Sequence, residues 1–176
     1  VTERAKATAT IKDTNVWRIY DLIDQTSYRY IVLEDPGMGT DGFASLAEKL
    51  RSTARLDSIT ACFIAWQVAG ALAHLHQCKT LFGLLTPDQV WLDKQNRVKL
   101  LLPAEQTLRP LSLPADESNE QFVKAADYMS PEWQFPGAMP TAQSDIYSLG
   151  SLLFQMLTGM APFPGGSIRE KLERHA

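Results

Sequence analysis

Glycines at positions 37, 39 and 42 form a GxGxxG pattern, the type of motif that binds the pyrophosphate of a dinucleotide. In that use the motif follows a strand and opens a helix, and a parallel strand about thirty residues later ends in an acid that binds the ribose. Here the next long element is a predicted helix that begins near Asp57, and no strand is predicted before Gln89. The pattern therefore predicts a flexible loop and not a dinucleotide site.

Cysteine and histidine are the residue types that could bind a metal ion such as zinc. Cys62 and Cys78 are too far apart for a CxxC pair, and they form no zinc-ligand pattern with His74, His76 and His175. We therefore predict no metal site. Two free thiols are typical of a protein in a reducing compartment.

Composition and charge describe an ordinary globular chain. Hydrophobic residues make up 45% and charged residues 21% of the sequence, which provides apolar side chains for a core and argues against disorder. The formal net charge of −3 gives no basic field that would attract nucleic acid or anionic lipid. The apolar run Ile146–Leu157 is shorter than the ~20 residues of a membrane span. Because the N-terminus also lacks a signal-peptide pattern, we predict a cytoplasmic protein without direct membrane insertion.

The N-terminal third is predicted to contain a helix, a hairpin and a second helix. Residues 1–15 are typical of a helix that runs into a polar turn. Two β-rich segments follow, Val16–Ile23 and Tyr28–Glu34, with turn residues between them. After the glycine-rich loop, a short helix is predicted over Phe43–Arg51.

A longer helix is predicted from an N-cap at Asp57 to about His76. Its apolar residues recur at steps of three and four, which indicates one buried face. The residues assigned to this face are Ile59, Phe63, Trp66, Ala69 and Ala73.

The C-terminal half is predicted to contain a strand pair and a central helix. The strands are Gln89–Leu92 and Arg97–Leu102, whereas residues 103–140 show no periodicity. Thr141 or Ser144 then caps a helix that ends at Gly159. Since this helix is apolar on nearly every side, we expect it to lie inside a domain.

Five blocks of sequence, in one order, resemble the motifs of protein kinases, and most closely those of bacterial-type serine/threonine kinases. LHQCKTLFGLLTPDQVWLD is similar to the catalytic-loop pattern LHxxGIxHRDLKPxNILLD, and YMSPEW is similar to the end of the activation segment. The blocks lie at 29–37, 75–93, 96–104, 128–133 and 144–165. The resemblance implies an α+β kinase-like fold that is mostly the helical C-lobe. It divides the chain into an N-lobe remnant and hinge (1–36) and a C-lobe (37–176), and implies truncation at both ends.

The resemblance places apolar residues at two positions that carry phosphate transfer. In the family, one aspartate accepts the substrate hydroxyl proton, and an asparagine and the DFG aspartate bind magnesium. The corresponding residues are Leu84 for the catalytic aspartate, Gln89 for the asparagine and Leu102 for the DFG aspartate. Thr86 stands where the family has a lysine. The separation of Leu84 and Leu102 matches that of the two aspartates, so these replacements predict a catalytically inactive domain.

Nucleotide binding is also expected to be weakened. The resemblance places Leu33 at the gatekeeper position of the hinge, followed by Glu34 and then by Pro36 at the third position after it. That third residue donates its N–H to adenine in the family, and proline has no N–H. A shifted hinge would restore the bond. The chain also begins at or inside the first helix, so the glycine-rich strands and the lysine strand of the N-lobe are expected to be absent.

Two acidic residues are expected to have structural roles that the resemblance implies. Asp145 matches the aspartate that binds the backbone of the catalytic loop, and Glu132 matches the APE glutamate, which pairs with an arginine in the family. No such arginine can be identified in this sequence. Thr107, Ser112 and Ser118 fall in the activation-segment equivalent, where they are either phosphorylation sites or ordinary loop residues.

These replacements favour a pseudokinase that serves as a protein-binding or regulatory scaffold, without cofactor or metal. Two alternatives stay open: a nucleotide-sensing pseudokinase, and an atypical kinase that uses displaced acids such as Asp88 or Glu105. The apolar helix surface near Ser144–Leu157 predicts a protein partner or a homodimer. No nucleic-acid partner is expected.

Overall fold

The computed structural model describes residues 11–25, 28–35, 42–102 and 118–176. Within these ranges the chain forms five strands and five α-helices. The strands are β1 (Ile19–Gln25), β2 (Tyr28–Leu33), β3 (Ala44–Ser45), β4 (Val90–Leu92) and β5 (Val98–Leu100). The helices are α1 (Leu46–Thr53), α2 (Ser58–Gln77), α3 (Glu120–Ala125), α4 (Ala142–Thr158) and α5 (Ile168–His175). The predicted α+β class, dominated by helices, is confirmed.

The predicted hairpin is confirmed, with different strand limits. β1 and β2 are antiparallel and pair from Ile19–Leu33 to Gln25–Tyr28. β1 begins three residues later than predicted because Val16 forms a parallel bridge to Leu100 instead. Of the predicted N-terminal helix, the described residues 11–15 form a coil and a turn. The proposed lobe boundary at 36/37 and most of the glycine-rich motif lie outside the described residues.

The predicted strand pair is also confirmed, and it belongs to a three-stranded sheet of order β3-β4-β5. Asp93 shapes the turn between β4 and β5, because its Oδ1 accepts the N–H groups of Gln95 (2.9 Å) and Arg97 (2.8 Å). The predicted start of the preceding helix at Phe43 is wrong. Ala44–Ser45 pair with β4 first, and Ser45 then caps α1 with Glu48 in a capping box.

The ends of α2 were predicted correctly, but its buried face was not. Asp57 caps the helix through a 3.0 Å bond from the Thr60 N–H to its Oδ1. Most of the side chains assigned to the core lie at the surface: Ile59 is 82% exposed and Trp66 is 70% exposed. The buried face is instead formed by Ala61, Ile64, Gln67, Val68, Ala71, Leu72 and Leu75. Apolar residues recur at helical spacing on both sides of α2, so periodicity alone could not choose the side that faces the core.

Among the described helices, α2 is the one that is long and apolar enough to cross a membrane, by length and composition. This 20-residue helix is longer than Ile146–Leu157, the apolar segment that the sequence indicated. Core helices of soluble domains satisfy the same criterion, and the inner face of α2 lies in the main core with Leu152 and Met156 of α4.

The caps of α4 are confirmed, whereas its predicted position inside the domain needs correction. Thr141 and Ser144 form a capping box, and Gly159 ends the helix in the left-handed region at φ 87°. The inner face carries small and polar residues, with Ser148 and Ser151 buried beside Leu152. Three large apolar side chains of this helix, Ile146, Phe154 and Leu157, are exposed on its outer face. α4 therefore lies at the surface on that side and is not enclosed by the described residues.

Two apolar clusters hold the described residues together. The main core joins α1, α2 and α4 with the strand pair β4-β5. A smaller cluster surrounds Leu84 and includes side chains from α3, from Trp133 and from α5. The segment 120–134, a short helix followed by two 3₁₀ turns, was not predicted, because such short elements carry little periodicity of their own.

Candidate functional site

The loop that follows α2 is held by one buried carboxylate. Asp145 lies in the first turn of α4 and is fully buried. Its Oδ2 accepts the Phe82 N–H at 2.8 Å, and its Oδ1 accepts the Gly83 N–H at 2.7 Å. His76 Nε2 lies 2.8 Å from the same Oδ2. Asp145 therefore fixes the path of the backbone directly before Leu84, and His76 is a contributor that the sequence motifs did not reveal.

Leu84 and Leu102 are both buried, with 4% and 5% of their surfaces exposed. Leu102 belongs to the main core, whereas Leu84 belongs to the smaller cluster beside α3 and α5. A backbone hydrogen bond connects the loop before β4 to the residues after β5, because the Leu101 N–H donates to the Gln89 carbonyl at 2.9 Å. The two apolar side chains thus lie in different clusters, each with apolar neighbours.

Thr86 and Gln89 bind each other within the loop. The Gln89 Oε1 accepts the Thr86 N–H at 2.8 Å and the Thr86 hydroxyl at 3.0 Å. Gln89 ends the 3₁₀ turn Pro87–Gln89 that leads into β4, and Thr86 is the N-cap of this turn. The side-chain oxygen of Gln89 is consequently engaged by its own loop.

The hinge residue Glu34 contacts Arg18, directly before β1, and Lys99 of β5. Its N–H donates to the Arg18 carbonyl at 2.8 Å, and its Oε2 lies 2.8 Å from Lys99 Nζ. The hydrogen bond from Lys99 is the main reason why the pKa of Glu34 lies below its usual value. Leu33 pairs with Ile19, and Pro36 lies outside the described residues.

Three aromatic rings lie beside this hinge. Trp17 precedes Arg18 and makes edge-to-face contacts with Trp91 (5.8 Å between centroids) and with Phe43 (6.0 Å). The indole N–H groups of Trp17 and Trp91 are buried and have no hydrogen-bond partner among the described residues. These ring contacts therefore join Trp17, the neighbour of Arg18, to Phe43 and to Trp91 of β4.

Glu132 is joined to the N-terminus of α4. Its carboxylate accepts a hydrogen bond from the Ser144 hydroxyl, which also belongs to the capping box. Burial raises the pKa of Glu132, but the hydrogen bond from Ser144 lowers it, and the resulting pKa lies below the usual value. Ser144 is thus a described side-chain partner of Glu132, where the resemblance implied an arginine.

The displaced acids are only partly described. Asp88 is exposed in the 3₁₀ turn, and Glu105 lies outside the described residues, as do Thr107 and Ser112. Burial, and then the charges of Asp127 and Asp88, raise the pKa of Tyr128, whose hydroxyl donates to Gln155 Oε1 at 2.7 Å. In the described part of the chain, no three residues of the His, Cys, Asp and Glu types are grouped closely enough to bind a metal ion.

The loop, the strand pair and the capped central helix have the order that the five sequence blocks imply, and the family model for the protein kinase domain matches residues 1–176. The chain belongs to the protein kinase domain family. Serine/threonine-protein kinase PrkC of Bacillus subtilis is 31% identical over 163 residues, which are 93% of this chain and 24% of PrkC. The probable serine/threonine-protein kinase PknB of Lactococcus lactis is 32% identical over 164 residues, which are 93% of this chain and 25% of that protein.

A fungal relative has similar identity over a smaller share of its length. Serine/threonine-protein kinase PDK1 of Cryptococcus neoformans is 29% identical over 155 residues, which are 86% of this chain and 12% of PDK1. The chain therefore spans about a quarter or less of the length of these curated relatives. Their names describe serine/threonine kinases, and the recognition of a kinase-like domain from its motifs is confirmed.

Proposed function

We propose that this kinase-family chain transfers no phosphate and acts as a protein-binding pseudokinase module. The observation that carries the proposal is the chemistry of Leu84 at the position of the catalytic aspartate. A leucine side chain neither accepts the proton of an acceptor hydroxyl nor orients that hydroxyl, which are the tasks of the aspartate in the family. Leu84 is buried in an apolar cluster, so the side chain at this position offers no oxygen atom to an acceptor hydroxyl.

The described residues also fit a magnesium ion poorly. Magnesium requires oxygen ligands in a nearly octahedral arrangement. Leu102 offers none, and the Gln89 Oε1 already accepts two hydrogen bonds from Thr86. We therefore assign no catalytic step to a metal-bound nucleotide in this chain.

The outer face of α4 supports a binding role. Ile146, Phe154 and Leu157 recur at helical spacing on this face, and each is between 38% and 53% exposed. Burial of such side chains stabilises a complex by up to roughly 1.5–3 kcal/mol each. Contiguous apolar surface of this kind is typical of protein interfaces. We propose that a protein partner, or a second copy of the chain, covers it.

The names of the relatives favour one competing function, which is phosphate transfer with displaced acids. PrkC and PknB are named as serine/threonine kinases, and Asp88 is an exposed carboxylate close to the loop. Such an enzyme would need a carboxylate within hydrogen-bond reach of the acceptor hydroxyl. Asp88, or Glu105, would have to supply it.

A phosphate-transfer assay separates these functions. The chain is incubated with radiolabelled ATP, with magnesium or manganese and with generic protein substrates, beside an active serine/threonine kinase. We expect no label above the level of heat-denatured chain. Labelling that disappears in Asp88→Asn or Glu105→Gln would establish the atypical enzyme instead. A rise in melting temperature with ATP and magnesium, without labelling, would identify a nucleotide sensor.

A further inference from the structure

We infer that the segment from Glu120 to Trp133 closes the acceptor side of the degenerate site, so that a polypeptide substrate has no access to the Leu84 position. The inference rests on the proposed function for the identity of that position. It adds a physical cause of inactivity that is separate from the missing aspartate, because the chain's own side chains occupy the approach.

The first step is the direction in which Leu84 points. Its neighbours Phe82 and Leu85 belong to the main core, whereas Leu84 belongs to the separate, smaller cluster. Asp145 fixes the Phe82 and Gly83 N–H groups, and Gly83 has a φ of 96°, in the region that favours glycine. The backbone therefore turns at Gly83, and the Leu84 side chain packs against residues 120–133.

The second step is the composition of the cluster that receives Leu84. Every member is buried, and most come from the segment that precedes and includes YMSPEW. The other members are Phe122, Ala125, Ala126, Met129, Trp133, Ile168 and Leu172. An acceptor hydroxyl could approach position 84 only after these side chains had separated from it, which would expose their apolar surface to water.

The third step is a buried lysine that holds the segment from the other side. Lys171 of α5 has 5% of its side chain exposed, and its Nζ donates to the Val123 carbonyl at 2.7 Å. The same Nζ lies 2.8 Å from Asp127 Oδ1, at the distance of an ion pair although outside good hydrogen-bond alignment. A buried ammonium group requires such partners, since an unpaired charge is costly in an apolar environment. Lys171 thus links α5 to two residues, Val123 and Asp127, of the segment that packs on Leu84.

Hydrogen–deuterium exchange of the full chain tests this closure without measuring phosphate transfer. Leu84→Asp places a carboxyl group inside the cluster, and Lys171→Met removes the link while retaining an unbranched apolar side chain of similar length. We expect each variant to raise amide exchange in peptides from 118–133 at least tenfold, with exchange in α2 and α4 unchanged. Trypsin cleavage after the exposed Lys124, inside α3, should rise in parallel. The matched control is Arg169→Met, an exposed position on the same helix as Lys171.

The outcomes distinguish this inference from the proposed function. Faster exchange confined to 118–133 supports the closure, whereas unchanged exchange there, or an equal rise throughout α2 and α4, overturns it. If Leu84→Asp fails to fold, Leu84→Ala is measured beside Lys171→Met, and the same readings apply. Phosphate transfer by the unmodified chain would overturn the proposed function, and unchanged exchange in the variants would overturn the closure alone.

Discussion

The carboxylate of Asp145 lies 2.8 Å from His76 Nε2, and this contact joins the last turn of α2 to the first turn of α4. The same carboxylate holds the backbone of the loop directly before Leu84. The contact between Asp145 and the loop backbone that the resemblance implied is therefore present in this chain.

Replacement of Asp145 by alanine is expected to destabilise the domain strongly. The Phe82 and Gly83 N–H groups are buried and would lose their acceptor, and each unpaired buried donor costs ~1–3 kcal/mol. The free energy of unfolding, measured by urea denaturation, should fall by at least the cost of one such donor. Asp88→Ala, at an exposed position, is the control and should change it by less than about 0.5 kcal/mol. Equal effects of both substitutions would contradict the structural role of Asp145.

The parts of the fold that the sequence predicted are those that depend on neighbouring residues. The caps at Asp57, Thr141 and Gly159 are local hydrogen-bonding or backbone preferences, and the structure contains all three. The hairpin and the pair β4-β5 also follow from local alternation and turn residues. These predictions needed no knowledge of what each element packs against.

The parts that were missed depend on contacts between distant residues. Ile59 and Ile64 are equally apolar, and only the packing of α2 against the rest of the main core decides that Ile64 is buried. α3 is too short to be stable from its own sequence, and it contacts Leu84 and Lys171 from elsewhere in the chain. The position of Asp145 was expected from the family resemblance, but its contact with His76 was not.

Restoring both aspartates is not expected to restore phosphate transfer. In the double variant Leu84→Asp, Leu102→Asp, each carboxyl group enters an apolar cluster, where its charged form is poorly solvated. Each substitution also removes the burial of a leucine, worth about 1.5–3 kcal/mol. We therefore expect lower stability and no labelling from radiolabelled ATP. The control Leu84→Met, Leu102→Met should remain folded and equally inactive, because such swaps conserve volume. Measurable turnover by the aspartate variant would refute this expectation.

The contact between Glu132 and Ser144 predicts a loss of stability in acid. The pKa of Glu132 is lower in the folded chain than its ordinary value of about 4.3. A carboxyl group with a lowered folded pKa contributes stability above its unfolded pKa, and this contribution disappears as the pH falls through the folded pKa. The free energy of unfolding should therefore decrease below about pH 4, and the decrease should be smaller in Glu132→Gln. An equally steep decrease in that variant would exclude Glu132 as a cause.

The exposed face of α4 provides the prediction on assembly. Phe154 and Leu157 are 46% and 38% exposed, so their replacement by aspartate removes apolar surface without placing a charge in the core. We expect the chain to form a dimer or a stable complex with a partner protein at micromolar concentration. The variant Phe154→Asp, Leu157→Asp should remain folded but lose this association, whereas Gln143→Asp, an exposed polar position near the start of the same helix, should retain it. Sedimentation velocity measures the mass, and circular dichroism checks the fold. A monomeric chain that binds no partner and tolerates both substitutions would show that this face is not an interface.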